Sequence, residues 1–80
     1  MTHQILRLPA VKAATGLSRS TLYLRIANKL FTHPVSLGGR AVGWPELEVV
    51  ALNTARIAGQ SDDKIRELVA RLETARKNAA

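Results

Sequence analysis

Apolar and polar positions along the chain recur with two different periods, and together they predict four short helices and one hairpin. The first helix opens at Pro9, whose missing N–H is no loss in a first turn, and runs through the helix formers Ala10 to Ala14 until Gly16 stops it. Ser18 is placed to cap a second helix by accepting a bond from a backbone N–H near Ser20 or Thr21. That helix is expected to span Arg19 to about Asn28 or Lys29. Two short helices separated by Thr15-Gly16-Leu17-Ser18 have the spacing of a helix-turn-helix, in which the second helix enters the major groove of DNA. Projected on a wheel, Leu22, Ile26 and Leu30, with Tyr23 at their border, form the arc expected to bury against Val11 and Ala14. Ser20, Thr21, Leu24, Arg25 and Asn28 are expected on the outward arc.

The pattern then changes to alternation. Val35-Ser36-Leu37 and Ala41-Val42-Gly43-Trp44 flank Gly38-Gly39-Arg40, and a Gly-Gly pair supplies the positive φ that a tight hairpin turn needs. With a loop of Gly38-Gly39 alone, Val35, Leu37, Arg40, Val42 and Trp44 share one face, and Arg40 stands at the tip. Trp44, beside a helix start, reads as a core plug. Pro45 opens a third helix with Glu46 and Glu48 in its first turn, and Leu47, Val50, Ala51, Thr54, Ala55 and Ala58 are its expected buried stripe. Gly59 ends it. Ser61 caps a fourth, amphipathic helix with Ile65, Leu68, Val69, Leu72 and Ala75 on one face, and with Glu67–Arg71 and Glu73–Lys77 at pairing distance along it. Its stripe either folds back on the domain or meets another protomer.

Charge sharpens this picture. The net charge is +6, and no Asp or Glu precedes Glu46, whereas Arg7, Lys12, Arg19, Arg25, Lys29 and Arg40 all do; the remaining six basic residues are balanced by six acidic ones. A basic half on so short a chain projects positive potential from one face and points to a polyanionic partner. The 80 residues suffice for one modest core and are too few for an enclosed catalytic cleft, so a binding module is expected rather than an enzyme. There is no cysteine, which excludes disulfides and thiolate metal sites. His3 and His33 lack carboxylates at ligand spacing, so neither a metal nor a cofactor is expected, and His33 reads as a loop or phosphate-proximal residue. No segment approaches the ~20 apolar residues of a membrane span, and no signal peptide is evident. The expected location is the cytoplasm.

On the outward arc Arg25 can donate twice to guanine O6 and N7, Ser20 and Thr21 can bond bases or phosphates, and Leu24 can touch a thymine methyl or serve as an apolar contact between protomers. Ser18, Arg19, Tyr23 and Lys29 complete the helix's candidate DNA-binding set. Arg40 at a hairpin tip suggests a wing that grips a phosphate or enters the minor groove.

Leu6-Arg7-Leu8-Pro9, Thr15-Gly16-Leu17-Ser18-Arg19-Ser20-Thr21-Leu22-Tyr23, Phe31, Pro34-Val35 and Leu37-Gly38-Gly39-Arg40-Ala41-Val42-Gly43-Trp44 together resemble AlpA-type regulators of phages and integrative elements, over about Ile5 to Ala58. The resemblance implies a compact winged helix-turn-helix of the MerR kind that binds DNA and governs prophage or island genes, often by promoting excision. It places Ser18 to Arg25 on the recognition helix and Arg40 on the wing. Two positions depart from the family pattern. A glycine often follows the Asn28 position and here it is Lys29, and the family's arginine tends to stand one place before Arg25, leaving Leu24 or Arg25 as the base reader. The resulting expectation is a mainly α fold: a winged helix-turn-helix with a three-helix core and a small β-hairpin wing over residues 1–59, and a C-terminal amphipathic helix for packing or oligomerisation over 60–80. The expected partners are double-stranded DNA, further copies of the chain on that DNA, and an integrase. A different class of function, a small adaptor binding another protein through the C-terminal helix, is the alternative.

Overall fold

Antiparallel pairing of Ile5–Leu6 (β1) and Val35–Gly38 (β2) on either side of Ala41–Pro45 (β3) builds a three-stranded sheet in the order β1-β3-β2. The computed structural model describes residues 4–78. Around the sheet lie the helices Leu8–Thr15 (α1), Arg19–Ala27 (α2), Glu46–Ile57 (α3) and Asp62–Ala75 (α4), the last running into a 3-10 turn over Arg76–Asn78. This is the mainly helical, winged-helix-like architecture that the residue pattern predicts, with one addition. The short β1, invisible as a periodic signal because it is two residues long, covers the open edge of β3.

The helix boundaries follow from local chemistry. Gly16 closes α1 in the left-handed region (φ 73°) and its N–H bonds the Lys12 carbonyl at 2.8 Å. Ser18 Oγ accepts from Thr21 N–H at 3.2 Å and Ser61 Oγ from Lys64 N–H at 3.3 Å, so both predicted caps form. At the far end of α2, Asn28 is the cap residue and Lys29 takes φ 61°, a conformation that favours glycine. Lys29 therefore meets, under strain, a backbone requirement that a glycine would meet freely.

One apolar cluster joins every helix to the sheet: Val11, Leu22, Phe31, Trp44, Val49, Leu52, Ala55, Ile65 and Val69 are all buried in it. Trp44 is its largest member and wholly inaccessible, with its indole N–H donating to the Thr32 carbonyl at 2.9 Å and its ring meeting the edge of Tyr23 at 6.4 Å between centroids. Without that carbonyl, burying the indole would leave an unpaired donor in the core.

Three expectations about faces are corrected. The hairpin turn is Gly39-Arg40, because Gly38 pairs with Ala41 and a bulge at Leu37 absorbs one residue between Ser36 and Gly38. Cross-strand partners share a face, so Val35 lies with Gly43 and Ile5 with Pro45, whereas Trp44 pairs across from Leu6 toward the core. Val35 and Leu37 therefore do not share the face of Trp44. On α3 the buried residues are Glu48, Val49, Leu52 and Ala55, while Leu47 (52% exposed), Val50 (55% exposed), Thr54 and Ala58 point to solvent. Both faces of this helix are apolar enough to pass for the core stripe, and the charge of Glu48 counts against the true one until its partner, Arg76, is in view. Along α4, Ile65 and Val69 are buried as expected and Ala75 is exposed. Glu67 meets Lys64 at 3.7 Å and Glu73 meets His33, in place of the i,i+4 pairs read from spacing, because those acids find partners on the preceding turn and on a neighbouring loop.

Gly43 lies where the three strands come closest. A Cβ there would sit 2.5 Å from Ile5 Cγ2 and 3.0 Å from the Leu6 carbonyl, so a side chain forces β1 away from β3. Gly43→Ala is expected to lower the unfolding free energy by about 1–3 kcal/mol through overpacking, read as a shift in the urea midpoint at unchanged slope.

Candidate nucleic-acid interface

The local chemistry of α2 fixes how its polar residues are presented. Ser18 Oγ, besides capping, donates to Thr21 Oγ1 at 3.0 Å, so two of the predicted hydroxyls are tied to each other at the helix start and Thr21 is half-buried. Ser20 is exposed, and Leu24 projects from the same face with 60% of its surface accessible. Tyr23 is at the border of the core, as the wheel predicts, and the Arg19 guanidinium lies 5.7 Å from its ring centroid while Trp44 abuts the ring edge. Arg19 is thus held over an aromatic face that is itself anchored in the core. Asn28 and Lys29 are exposed at the end of the helix, and the Asn28 carbonyl accepts from Arg66 Nε of α4 at 3.1 Å.

Arg25 stands apart from this set. It follows Leu22 by three residues, about 60° from the buried direction on a 3.6-residue helix, and it is half-buried beside α3. There it lines a cavity of about 340 Å³ with Thr15, Leu17, Leu52, Asn53 and Arg56, and its buried Nε has no hydrogen-bond partner among the described residues. The structure therefore brings Ser20, Leu24 and Asn28 together on the outward arc and turns Arg25 toward a cleft at its edge. Arg40 is exposed in the second position of the hairpin turn, following Gly39 at φ 55°. From Gln4 to Pro45 these surfaces carry no acidic side chain.

The largest polar cluster among the described residues, which charge spacing along the chain does not reveal, lies at the base of the hairpin. Arg76 Nε and Nη2 reach the two carboxylate oxygens of Glu48 at 2.8 and 2.7 Å, Nη2 also donates to the His33 carbonyl at 2.6 Å, and Glu73 Oε2 accepts from His33 N–H at 3.0 Å. His33, read as a loop residue, is in a loop, but its ring is engaged: Nδ1 lies 2.7 Å from Glu73 Oε2 and Nε2 lies 3.2 Å from Arg76 Nη1. His3 lies outside the described residues. The signal that could have revealed this cluster is the charged Glu48 inside an apolar helical stripe, which demands a cationic partner. Among the described residues no group of His, Cys, Asp or Glu is arranged to hold a metal ion.

A helix-turn-helix with an exposed second helix, a basic hairpin tip and a three-stranded antiparallel sheet defines a small winged-helix-like module. Residues 4–51 match the family described as Prophage CP4-57 regulatory protein (AlpA), and the chain belongs to that phage regulatory family. It is also 47% identical over 57 residues to the uncharacterized protein ORF88 of Enterobacteria phage P4, an alignment that spans 71% of this chain and 65% of that relative. No solved structure matches the chain.

The strain at the end of α2 is directly testable. Lys29→Gly removes the Cβ from a left-handed residue, and the gain of about 1–2 kcal/mol outweighs the added freedom of the unfolded chain, about 0.5–1 kcal/mol. A small rise in thermal midpoint is expected in calorimetry; a fall would mean that the Lys29 side chain contributes more than its backbone costs.

Proposed function

We propose that this AlpA-family chain is a sequence-specific, double-stranded DNA-binding protein of a bacterial mobile element, working as a transcription regulator, as an excisionase (recombination directionality factor), or as both. One observation carries the reading: Arg19, Ser20 and Leu24 on α2 and Arg40 on the hairpin are all exposed, within a stretch that has no carboxylate side chain before Glu46. The first turn of α2 holds no acid, so the partial positive charge of its N-terminus adds to the attraction for phosphate.

In this reading α2 lies in the major groove. Ser20 and Leu24 face the base edges, Arg19 and Lys29 meet the flanking phosphates, and Ser18 and Thr21 hold the amino end of the helix in shape. Tyr23 orients Arg19. Arg25 reaches DNA from the rim of its cleft, and Arg40 acts from the wing on a phosphate or in the minor groove. A single module of this size makes few base contacts, so several copies bind side by side, and excision control follows when such an array reshapes the DNA for an integrase. The adaptor reading loses support because Ile65 and Val69, the centre of the α4 stripe, are already buried within the chain. No helix among the described residues is long and apolar enough to cross a membrane, which is compatible with work at the nucleoid.

Fluorescence anisotropy on duplexes enriched from a random pool tests the reading. Arg40→Ala should weaken binding to all sequences alike and make the log–log salt slope shallower by about 0.9, one phosphate contact. Of Leu24→Ala and Arg25→Ala, the variant that alters the enriched motif identifies the base reader. Affinity for enriched duplex no greater than for random duplex would overturn the proposal. Excision is tested separately: quantitative amplification of the excised junction should fall on deletion of the gene if the chain directs recombination, and stay level if it regulates transcription alone.

A further inference from the structure

We propose that Arg76 is a positioning residue for the hairpin wing, and that the C-terminal helix serves to bring this guanidinium to the wing's base. The inference rests on the wing reading of Arg40 given above and assigns a role to a segment beyond the residues, 4–51, that match the family.

The hairpin has two stems. One rises from Phe31–Pro34 into β2, and the other descends from β3 through Pro45 directly into the first turn of α3. Arg76 holds both. Its Nη2 donates to the His33 carbonyl at 2.6 Å, two residues before β2 begins, while Nε and Nη2 grip Glu48 at 2.8 and 2.7 Å, three residues after β3 ends. Glu73, one turn earlier on α4, secures the same loop by accepting from His33 N–H at 3.0 Å. One planar guanidinium therefore fixes the distance between the start and the finish of the wing, a task for which a fork of fixed geometry is suited and a flexible ammonium is not.

The wing needs such an external tie. Its own ladder registers Val35 with Gly43, Ser36 with Val42 and Gly38 with Ala41, interrupted by the bulge at Leu37, and its tip is glycine-rich. Two-stranded hairpins of this length are marginal alone. Trp44 anchors the inner side of the base through Thr32, and Arg76 closes the outer side. The pair is also well enclosed: Glu48 is 5% exposed and the Arg76 side chain 16%. With Arg76 in place, the position of Arg40 relative to α2 is set by contacts at the far end of the chain.

A simple Arg76→Ala change strands a buried carboxylate and can unfold the protein, so the decisive variant is Glu48→Met with Arg76→Met, which replaces the ion pair by apolar volume and removes the Arg76 bond to the His33 carbonyl while leaving Glu73 on His33. Full-length protein carrying both changes should keep a thermal midpoint near that of the parent. Amide exchange in β2 and β3 should be at least tenfold faster, with α1 and α2 unchanged. On duplex DNA it should match Arg40→Ala in affinity and salt slope, and adding Arg40→Ala to it should bring no further loss. Parental exchange rates in the hairpin, or losses that simply add in the combined variant, would overturn the proposal. If the parent protein binds no duplex, the DNA-binding reading fails, and the exchange rates alone decide whether Arg76 braces the hairpin.

Discussion

Trp44 can be wholly buried only because its indole N–H reaches the Thr32 carbonyl, and most of the structure is arranged around that bond. The bond brings the loop after α2 against the end of β3, and so sets the hairpin beside α2. The same ring supports the edge of Tyr23, over which Arg19 is held, and its strand position faces Leu6 across the sheet. The second helix of the helix-turn-helix, the hairpin and the strand that seals the sheet edge therefore share one large side chain. An interior this small has few alternatives: below about 80 residues a single core supplies little surplus stability, so one aromatic plug with a satisfied polar atom carries much of the specification.

The second organising feature is the division of labour between charge and packing. The charged side chains before Glu46 are all positive, and the exposed ones, Arg7, Lys12, Arg19, Lys29 and Arg40, lie at α1, at α2 and on the hairpin tip. The acids are confined to α3 and α4, where Glu48 and Glu73 turn inward to hold Arg76 and His33. Glu48 is the one buried acid among the described residues, while Asp62, Asp63 and Glu67 stay exposed on α4. In the balanced half of the chain, α4 packs Ile65 and Val69 into the core that the basic half shares.

The helix-turn-helix was legible because its signals are local. Gly16 stops one helix, Ser18 caps the next, and the period of Leu22, Ile26 and Leu30 names the inner face; each acts within one or two turns. The hairpin was legible in kind but not in register, since a bulge at Leu37 depends on which residues the facing strand offers. Arg25 was assigned to the outward arc although it lies only one turn from Leu22, and its cleft exists because α3 passes beside it. The α3 stripe was misread for a related reason: Leu47 and Val50 have the period of a core face, and the charge of Glu48 counts against the face that is in fact buried.

What the sequence alone determined was the order and type of the elements, the capped helix-turn-helix, the burial of Trp44, the basic half and the family resemblance, all of which rest on short-range periodicity, turn chemistry and composition. What only the tertiary structure decided was which apolar face of α3 is buried, how the hairpin is registered, where Arg25 points and that Arg76 joins Glu48 to His33. Each of these depends on partners distant along the chain: Glu48 and His33 reach Arg76 across α3 and α4, and β1 meets β3 only after three intervening elements. A buried charge is stable only with its counter-ion, and a strand edge only with its neighbour, and no local pattern in the chain records which of the available partners arrives.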